Sequence, residues 1–193
     1  MCALQFAYSR YLLSSSRIAK PSHIRLFASI TGPTNIRRPF KILGVQQVAI
    51  GCAEKEPLET LWKGVFGLES STTKKIHSEN VKEEVIKFGQ RPYEVEIDLM
   101  TPIDADKSPK VHIPALNHIG LWIDHLEIAV HWMKRYGVRF TSGGIRKGAA
   151  GHKVVFIHPK GNKEAPIGGA GVLIELVQAP EALVRDSRLK NYY

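Results

Sequence analysis

Two polar side chains stand in stretches of the chain that otherwise have the alternating apolar pattern of buried strands. The stretch VQQVAIG (45–51) places Gln47, the second of two glutamines, where Val or Ile would pack better. The stretch LNHIGLWID (116–124) has the same rhythm and carries His118 at the matching early position. Each residue by itself is more often structural than functional, but the matching positions indicate a shared role.

Two acidic residues are matched in the same way near the ends of two further apolar stretches. Asp98 lies in VEIDLMTP (95–102) and Glu175 lies in LIELVQAP (173–180), each between apolar residues and followed by a proline. Because side chains alternate between the two faces of a strand, both acids lie opposite the apolar face. A single acid in such a place is usually solvated, whereas a matched pair indicates a site.

The four residues together have the donor chemistry of a metal site. They offer one amide oxygen, one imidazole nitrogen and two carboxylates, which suit Mg²⁺, Mn²⁺, Co²⁺ or Zn²⁺ better than a thiolate-bound metal. Two carboxylates balance the charge of a divalent cation. Such an ion can polarise a carbonyl oxygen and lower the cost of removing a neighbouring proton. The predicted metal ligands are Gln47, Asp98, His118 and Glu175.

An internal repeat supplies the elements that must position these residues. The chain runs twice through a strand, a helix, a glycine and later strands. The apolar spacing predicts helices over about 57–65 and 125–136, followed by Gly67 and Gly137, and the polar segment 104–115 links the halves. The predicted apolar stripes are Leu58, Leu61, Trp62 and Val65 on the first helix and Leu126, Ala129, Val130, Met133 and Tyr136 on the second. The predicted later strands are VKEEVIKFG and YEVEIDLMTP in the first half and HKVVFIHP and GVLIELVQAP in the second. Two such modules, with their sheets curled around one cavity, would bring the four ligands together.

The chain length and composition limit the class of protein. The 193 residues, 44% hydrophobic and 23% charged, suit one globular domain or two small ones with a proper core. The sequence contains no apolar run long enough to span a bilayer. Its two cysteines, Cys2 and Cys52, do not make a disulfide framework, because the first would leave with an N-terminal targeting segment.

The net charge of +9 is partly concentrated at the N-terminus. Residues 1–41 contain five Arg and two Lys but no Asp or Glu, and the first acid is Glu54. This composition is typical of a mitochondrial transit peptide, and the sequence RLFAS resembles a matrix-peptidase site that is cut after Phe27. Removal of residues 1–27 leaves a charge of +5, so a matrix enzyme needs no nucleic-acid partner to explain the excess. The alternative is a disordered basic arm that binds RNA.

A family resemblance is strongest in the second half of the chain. The stretches LNHIGLWID, GIRKGAAGHKVVFIHPKG (144–161) and GVLIELVQAP (171–180) resemble the vicinal-oxygen-chelate superfamily of glyoxalases, bleomycin-resistance proteins and dioxygenases, and most closely its methylmalonyl-CoA epimerases. The likeness covers roughly residues 43–182. It implies an α+β fold in which two βαβββ modules pair into an incomplete mixed β-barrel around one divalent metal. Carried over by position, the family's ligands fall on the same four residues.

The resemblance and the composition together predict the organisation of the chain. The predicted segments are a mitochondrial transit peptide (1–27), a flexible lead-in (28–42), a single vicinal-oxygen-chelate domain (43–182, with module one at 43–103 and module two at 115–180) and a C-terminal tail (183–193). We therefore expect the mature protein in the mitochondrial matrix.

Two of the four ligand positions depart from the epimerase pattern. The epimerases have His where this chain has Gln47, and they have Gln or Glu where it has Asp98. Glyoxalase I of the animal type has Gln at the first of these positions. Asp98 is one methylene shorter than Glu, so we expect its carboxylate to need a water molecule to reach the ion. The glutamine therefore favours a metal site and leaves more than one reaction open.

The resemblance implies metal-dependent epimerisation of methylmalonyl-CoA by removal of the α proton through a metal-stabilised enolate. Inversion needs an acid or a base on each face of the carbon. The resemblance assigns Glu175 to one face and Glu79 to the other, with Glu83 and Glu84 as rivals of Glu79. The implied cofactor is one divalent metal ion and the implied ligand is an acyl-CoA thioester. A homodimer is expected by resemblance, and no nucleic-acid or membrane partner is expected.

Two alternative functions stay open at this point. Glyoxalase I-type isomerisation of a glutathione hemithioacetal uses the same metal chemistry and is favoured by Gln47. A non-catalytic matrix protein that retains the fold is favoured by the two ligand departures. Basic side chains around the loop GAAGHK (148–153) could meet the phosphates of an acyl-CoA or be solvated.

Overall fold

A computed structural model of the chain describes residues 37–91 and 93–189. The predicted transit peptide (1–27) and most of the predicted lead-in lie outside the described residues. Within the part described, no helix is both long and apolar enough to cross a membrane.

The described chain forms eight strands and three α-helices. The strands are β1 Ile42–Gly51, β2 Ser70–Ile76, β3 Val81–Phe88, β4 Val95–Pro102, β5 Leu116–Ile123, β6 Arg146–Lys147, β7 Lys153–Ile157 and β8 Leu173–Gln178. The helices are α1 Glu56–Glu59, α2 Leu126–Arg135 and α3 Glu181–Leu189; a π-helix, Thr60–Val65, continues α1, and a 3₁₀ turn, His77–Glu79, precedes β3.

The eight strands form one mixed sheet whose two halves mirror each other. The strand order is β2-β3-β4-β1-β5-β8-β7-β6, so each module contributes four adjacent strands. The parallel pair β1–β4 of module one has its counterpart in the parallel pair β5–β8 of module two. The modules join through the antiparallel pair β1–β5. This arrangement confirms the predicted α+β fold of two βαβββ modules in an incomplete barrel.

Helix α2 packs on the outer face of the second module through the stripe that the sequence predicts. Its buried residues recur at intervals of three and four: they are Leu126, Ala129, Val130 and Met133. They pack with Ile123, Val155 and Leu176 of the sheet in the largest buried cluster. Gly137, at φ +80°, follows the helix in the left-handed conformation that a C-terminal glycine adopts without strain.

The corresponding helix of module one differs from its prediction. The segment 57–65 is helical, but its second part is a π-helix in which the Phe66 N–H donates to the Leu61 carbonyl five residues earlier. The wider turn rotates side chains away from the sheet, so Leu61 is 43% exposed and Val65 is 71% exposed. The predicted apolar stripe is therefore wrong for these two residues.

Three elements have no counterpart in the sequence patterns, and the shortest of them is the two-residue strand β6. The edge strand β2 has the polar sequence SSTTKKI, without the apolar alternation that predicts a half-buried strand. Helix α3 begins just before the predicted tail, and its buried Leu183 and Val184 pack with Leu43 and Trp122. The C-terminal segment therefore contributes to the core of the described domain.

Candidate metal and catalytic site

The inner face of the curled sheet lines a cavity of about 660 Å³. Three neighbouring strands bring the central residues of this face together. Gln47 of β1 lies opposite Gly120 of β5, and Gly120 lies opposite Glu175 of β8. A Cβ atom on Gly120 would stand 2.7 Å from Gln46 Oε1 and 2.8 Å from Gln47 Cγ. Because Gly120 has no side chain, Gln47 and Glu175 have space to meet above β5.

Three of the four predicted ligands converge in this space. Gln47 Nε2 lies 2.6 Å from His118 Nε2 and donates a 2.9 Å hydrogen bond to Glu175 Oε2. His118 Nε2 and Glu175 Oε2 are 3.5 Å apart. Both His118 and Glu175 are buried, at 8% and 6% exposure. The cluster thus holds an amide, an imidazole and a carboxylate that come from both modules.

The first glutamine of the opening pair, Gln46, has a structural position. Its amide nitrogen donates a 2.9 Å hydrogen bond to Glu96 Oε2 on the neighbouring strand β4. The β1–β5 register is irregular between Val45 and Gln47, and both glutamines line the cavity. Their hydrogen bonds distinguish them, because Gln46 ties β1 to β4 whereas Gln47 contacts His118 and Glu175.

Asn117 orients His118, a role that the sequence patterns do not single out. The Asn117 Nδ2 group donates to the Val111 carbonyl at 2.8 Å, which leaves Asn117 Oδ1 to face His118 Nδ1 at 2.8 Å. Because that oxygen only accepts, His118 Nδ1 carries the proton and Nε2 carries the lone pair. The imidazole therefore presents a free lone pair to the cluster. The dipeptide Asn117–His118 in LNHIGLWID is the sequence signal that could have identified this role.

Asp98 does not join the cluster but pairs with another acid. It is 2% exposed, and its Oδ1 atom has no hydrogen-bond partner among the described residues. Burial first, and then the negative charges of Glu83, Glu96 and Glu175, raise the pKa of Asp98 to about 8. The Glu83 side chain is hydrogen-bonded to Asp98, and burial raises the pKa of Glu83 as well. The two carboxyl groups share a proton.

The donor set fits a cation at the three converging residues. Within residues 37–91 and 93–189, no three His, Cys, Asp or Glu side chains are grouped closely enough to hold a metal ion, because the third donor of the cluster is an amide. In the structure, the His118 lone pair and the Glu175 carboxylate both point at the electropositive Gln47 NH₂ group. Rotation of that amide by 180° replaces the NH₂ with an oxygen donor. Gln47, His118 and Glu175 therefore fit one ion as direct ligands. The unpartnered oxygen of Asp98 fits the role of an indirect ligand to the same ion.

The three candidates for a second catalytic acid have different surroundings. Glu79 lies exposed in the 3₁₀ turn at the rim of the cavity. Glu83 lies on β3 with its side chain in the cavity and is 9% exposed. Glu84 faces the other side of the sheet, where it accepts from Lys55 at 2.6 Å, Ser70 at 2.9 Å and Lys63 at 3.3 Å.

The contacts of Glu84 indicate a structural role. Burial opposes its ionisation, but the hydrogen bonds from Lys55, Ser70 and Lys63 together hold the pKa of Glu84 below its usual value. An ionised carboxylate held by two ammonium groups on the outer face cannot reach a ligand in the cavity. Of the three candidates, Glu79 and Glu83 line the cavity; Glu96 of module one lines it too, but its carboxylate accepts a hydrogen bond from Gln46.

The chain is similar to known proteins across most of the described fold. A family model described as the glyoxalase/bleomycin resistance protein/dioxygenase superfamily matches residues 46–156. The mitochondrial methylmalonyl-CoA epimerase of Bos taurus is 24% identical over 82% of this chain and 87% of its own length, and that of Homo sapiens is 27% identical over 70% and 73%. The structure of a Streptomyces coelicolor methylmalonyl-CoA epimerase variant with 2-nitronate-propionyl-CoA covers 72% of this chain and 99% of its own, at 20% identity and a TM-score of 0.59.

Proposed function

The chain belongs to the glyoxalase/bleomycin resistance protein/dioxygenase superfamily, and from this premise we propose that it is an isomerase that epimerises methylmalonyl-CoA. The observation that carries the proposal is a buried cluster of Gln47, His118 and Glu175 in a cavity that also receives acids from the opposite module. The similarity to methylmalonyl-CoA epimerases of two mammals supports the choice of substrate.

We propose that Gln47, His118 and Glu175 hold one divalent metal ion, with Asp98 acting through a water molecule. When bound, such an ion supplies positive charge beside the oxygen on which negative charge develops as the α proton leaves. The protein contributes the orientation of the donors. Asn117 keeps the lone pair of His118 Nε2 directed into the cluster, and Gly120 keeps the approach to Gln47 open.

Proton transfer falls to acids on the two sides of the cavity. Glu175 takes the α proton on one face, and an acid of module one returns a proton to the opposite face, so one C–H bond breaks and another forms without oxidation or reduction. The resemblance implies Glu79 for the second role. Glu83 is its rival, because burial raises the pKa of this carboxyl and so favours its protonated form, which can donate a proton. The exposed Glu79 would act from the rim.

The experiment that tests the proposal follows solvent deuterium. The purified protein is incubated with Co²⁺ and one epimer of methylmalonyl-CoA in D₂O, and incorporation at the α carbon is followed by NMR or mass spectrometry. We expect exchange in the parent protein and its loss in Glu175→Gln. Glu84→Gln is the matched control, because it removes an acid from the outer face only. Absence of exchange from either epimer would contradict the proposed function.

Parallel variants identify the second acid. Glu79→Gln and Glu83→Gln each remove one carboxylate and preserve the size of the side chain. The variant that lacks the second acid should still exchange the proton of one epimer with solvent but should no longer invert it. The other variant should behave like the parent.

A second reaction is favoured by one specific observation, the amide in the donor cluster. Isomerisation of a glutathione hemithioacetal also moves a proton between carbons next to a chelated oxygen pair, and Gln47 occupies the position that Gln has in animal glyoxalase I. Incubation of the protein with methylglyoxal and glutathione tests this candidate. A protein that acts on neither substrate would be a non-catalytic member of the superfamily.

We further propose that the mature protein resides in the mitochondrial matrix. The acid-free basic segment 1–41 supports this location. The mitochondrial epimerases among its relatives give the same support.

A further inference from the structure

The short turn that carries Glu79 ends at a buried asparagine. The 3₁₀ turn His77–Glu79 lies at the rim of the cavity, and Asn80 follows it at φ +52°, in the left-handed region that Asn tolerates better than most residues. The Asn80 N–H closes the turn by donating to the His77 carbonyl at 3.2 Å. Glu79 is exposed, whereas Asn80 is only 7% exposed. The backbone conformation of Asn80 accounts for the turn but not for the burial of its amide side chain.

The Asn80 side chain reaches out of module one into the segment that joins the modules. Asn80 Nδ2 donates to the carbonyl oxygens of Asp104, Lys107 and Pro109, at 2.9, 3.0 and 3.2 Å. Asn80 Oδ1 accepts from the Asp104 N–H at 3.0 Å. Both polar atoms of this amide therefore contact the backbone of the inter-module linker (104–115). Displacement of the amide is costly, because it would leave several buried polar groups unpaired.

The linker is itself held against module one beside the turn. Val111 is 5% exposed and lies in one buried cluster with Val81, and Ile76 packs against that cluster. Ile76 directly precedes the turn and Val81 directly follows Asn80. A Cβ atom on Gly51, the last residue of β1, would clash with the Val111 carbonyl oxygen. The absence of a side chain at Gly51 thus allows the linker backbone to lie against the strand that carries the first metal-ligand candidate.

The linker is also held at the donor cluster of module two. Its Val111 carbonyl accepts from Asn117 Nδ2 at 2.8 Å, and Asn117 Oδ1 lies 2.8 Å from His118 Nδ1. The Ala115 carbonyl accepts from the Gly51 N–H at 2.7 Å. The linker is therefore fixed to β1 and β5, the two strands from which the amide and the imidazole of the cluster project.

We propose that Asn80 is a positioning residue, which fastens the turn of Glu79 to the inter-module linker and so fixes this acid relative to the donor cluster. The inference rests on the proposed function, in which an acid of module one and donors from both modules must face one carbon. Because the Glu79 side chain is exposed, its place depends on the backbone of the turn. Proton transfer requires the acid within hydrogen-bond reach, so a shift of about 1 Å in the turn would slow it markedly.

Amide hydrogen exchange tests the anchor without catalysis. Asn80→Gly removes the amide and keeps the left-handed backbone unstrained, and Asn80→Asp keeps the size of the side chain but removes the donor. In both variants the amide protons at positions 80 and 103, which lie at the turn and at its bond to the Ile103 N–H, should exchange at least ~10-fold faster than in the parent. The Gly51 amide, which reports the attachment of the linker to β1, should keep its parent rate.

The matched control is Asn162→Gly, which removes an exposed asparagine whose Oδ1 accepts from the Ala165 N–H at 2.7 Å in module two. It should leave the rates at positions 51, 80 and 103 unchanged. Parent rates in both Asn80 variants would overturn the inference. Equal acceleration at Gly51 would overturn it as well, because Asn80 would then stabilise the whole region rather than the turn.

A kinetic comparison tests whether the anchor serves Glu79. With methylmalonyl-CoA, Asn80→Gly should lower the kcat for inversion about 10-fold at unchanged KM, while the solvent exchange of the α proton that Glu175 removes keeps its parent rate. Added to Glu79→Gln, Asn80→Gly should cause no further loss, because a residue that acts through Glu79 has no effect once that carboxyl is gone.

Equal losses of inversion and exchange, or an unchanged kcat in Asn80→Gly, would overturn the positioning role. A parent protein that neither inverts nor exchanges the substrate would contradict the proposed function instead. The amide exchange rates would in that case still support or overturn the attachment of the turn to the linker.

Discussion

Replacement of Asp98 by Asn should change how the stability of the metal-free protein depends on pH. Asp98 lies in the middle of β4, it is 2% exposed, and its Oδ1 atom has no hydrogen-bond partner among the described residues. Burial and the neighbouring carboxylates raise its pKa to about 8 in the folded protein, against an ordinary value of 3.8. The folded chain therefore binds one more proton at this position than the unfolded chain between about pH 4 and pH 8.

The sign of the effect follows from proton linkage. A pKa that is raised in the folded state gives stability that is fully present below the unfolded pKa and is lost as the pH rises through the folded pKa. One proton changes the free energy of unfolding by up to about 1.4 kcal/mol per pH unit. As the pH rises from 6 to 8, release of the Asp98 proton alone should lower the free energy of unfolding by about 2 kcal/mol. Asn has the same shape and does not titrate, so this loss should be absent in Asp98→Asn.

The measurement is urea unfolding in the presence of a chelator at pH 6, 7 and 8, on the parent and the variant. The parent should lose stability across this range more steeply than Asp98→Asn. The exposed acid Asp106 gives the control, since Asp106→Asn should follow the parent at every pH. If the parent and Asp98→Asn lose stability in parallel, Asp98 is ionised in the folded protein and does not share a proton with Glu83.

The remaining predictions concern the donor cluster and the N-terminus. Gln47→Leu should weaken divalent-metal binding at least ~10-fold, because it removes a donor, whereas Gln47→His should retain the metal, because imidazole is also a neutral donor. Calorimetric titration with the metal checks both variants. Equal affinity in the Leu variant would make Gln47 structural. His118→Ala should lose bound metal in elemental analysis while circular dichroism stays unchanged, and stoichiometric metal in this variant would remove His118 from the site. Gly120→Ala should weaken metal binding with little change in fold, because the added methyl group displaces Gln47 Cγ, which would lie 2.8 Å away; unchanged affinity would show that the side chain moves freely. N-terminal sequencing of the protein from cells should find a new terminus close to Phe27, and an intact N-terminus would count against import with cleavage.

The duplicated pattern allowed much of the cluster to be predicted. Gln47, His118 and Glu175 were matched through strand alternation and the internal repeat, and the structure brings them within 3.5 Å of one another. The prediction was possible because a strand places alternate residues on one face, and because two copies of a module place equivalent residues on equivalent strands. Their role as metal ligands stays a prediction until metal binding is measured.

Asp98 shows where the same reasoning was insufficient. The repeat pairs Asp98 with Glu175, but the Asp98 carboxyl is hydrogen-bonded to Glu83 on the adjacent strand β3. The reach of a side chain one methylene shorter than Glu, and the register between β3 and β4, decide which neighbour it meets. Neither quantity follows from alternation within one strand.

The sequence by itself determined the two modules, the order of three of the four strands in each, and the side of those strands on which Gln47, His118 and Glu175 lie. These depend on periods of two and of three to four residues, and such periods are properties of short segments. Only the tertiary structure decided that Asn117 orients His118 and that Gly120 leaves space for Gln47. Each of these depends on the distance between side chains on different strands, which the curvature of the sheet and the pairing of distant segments determine.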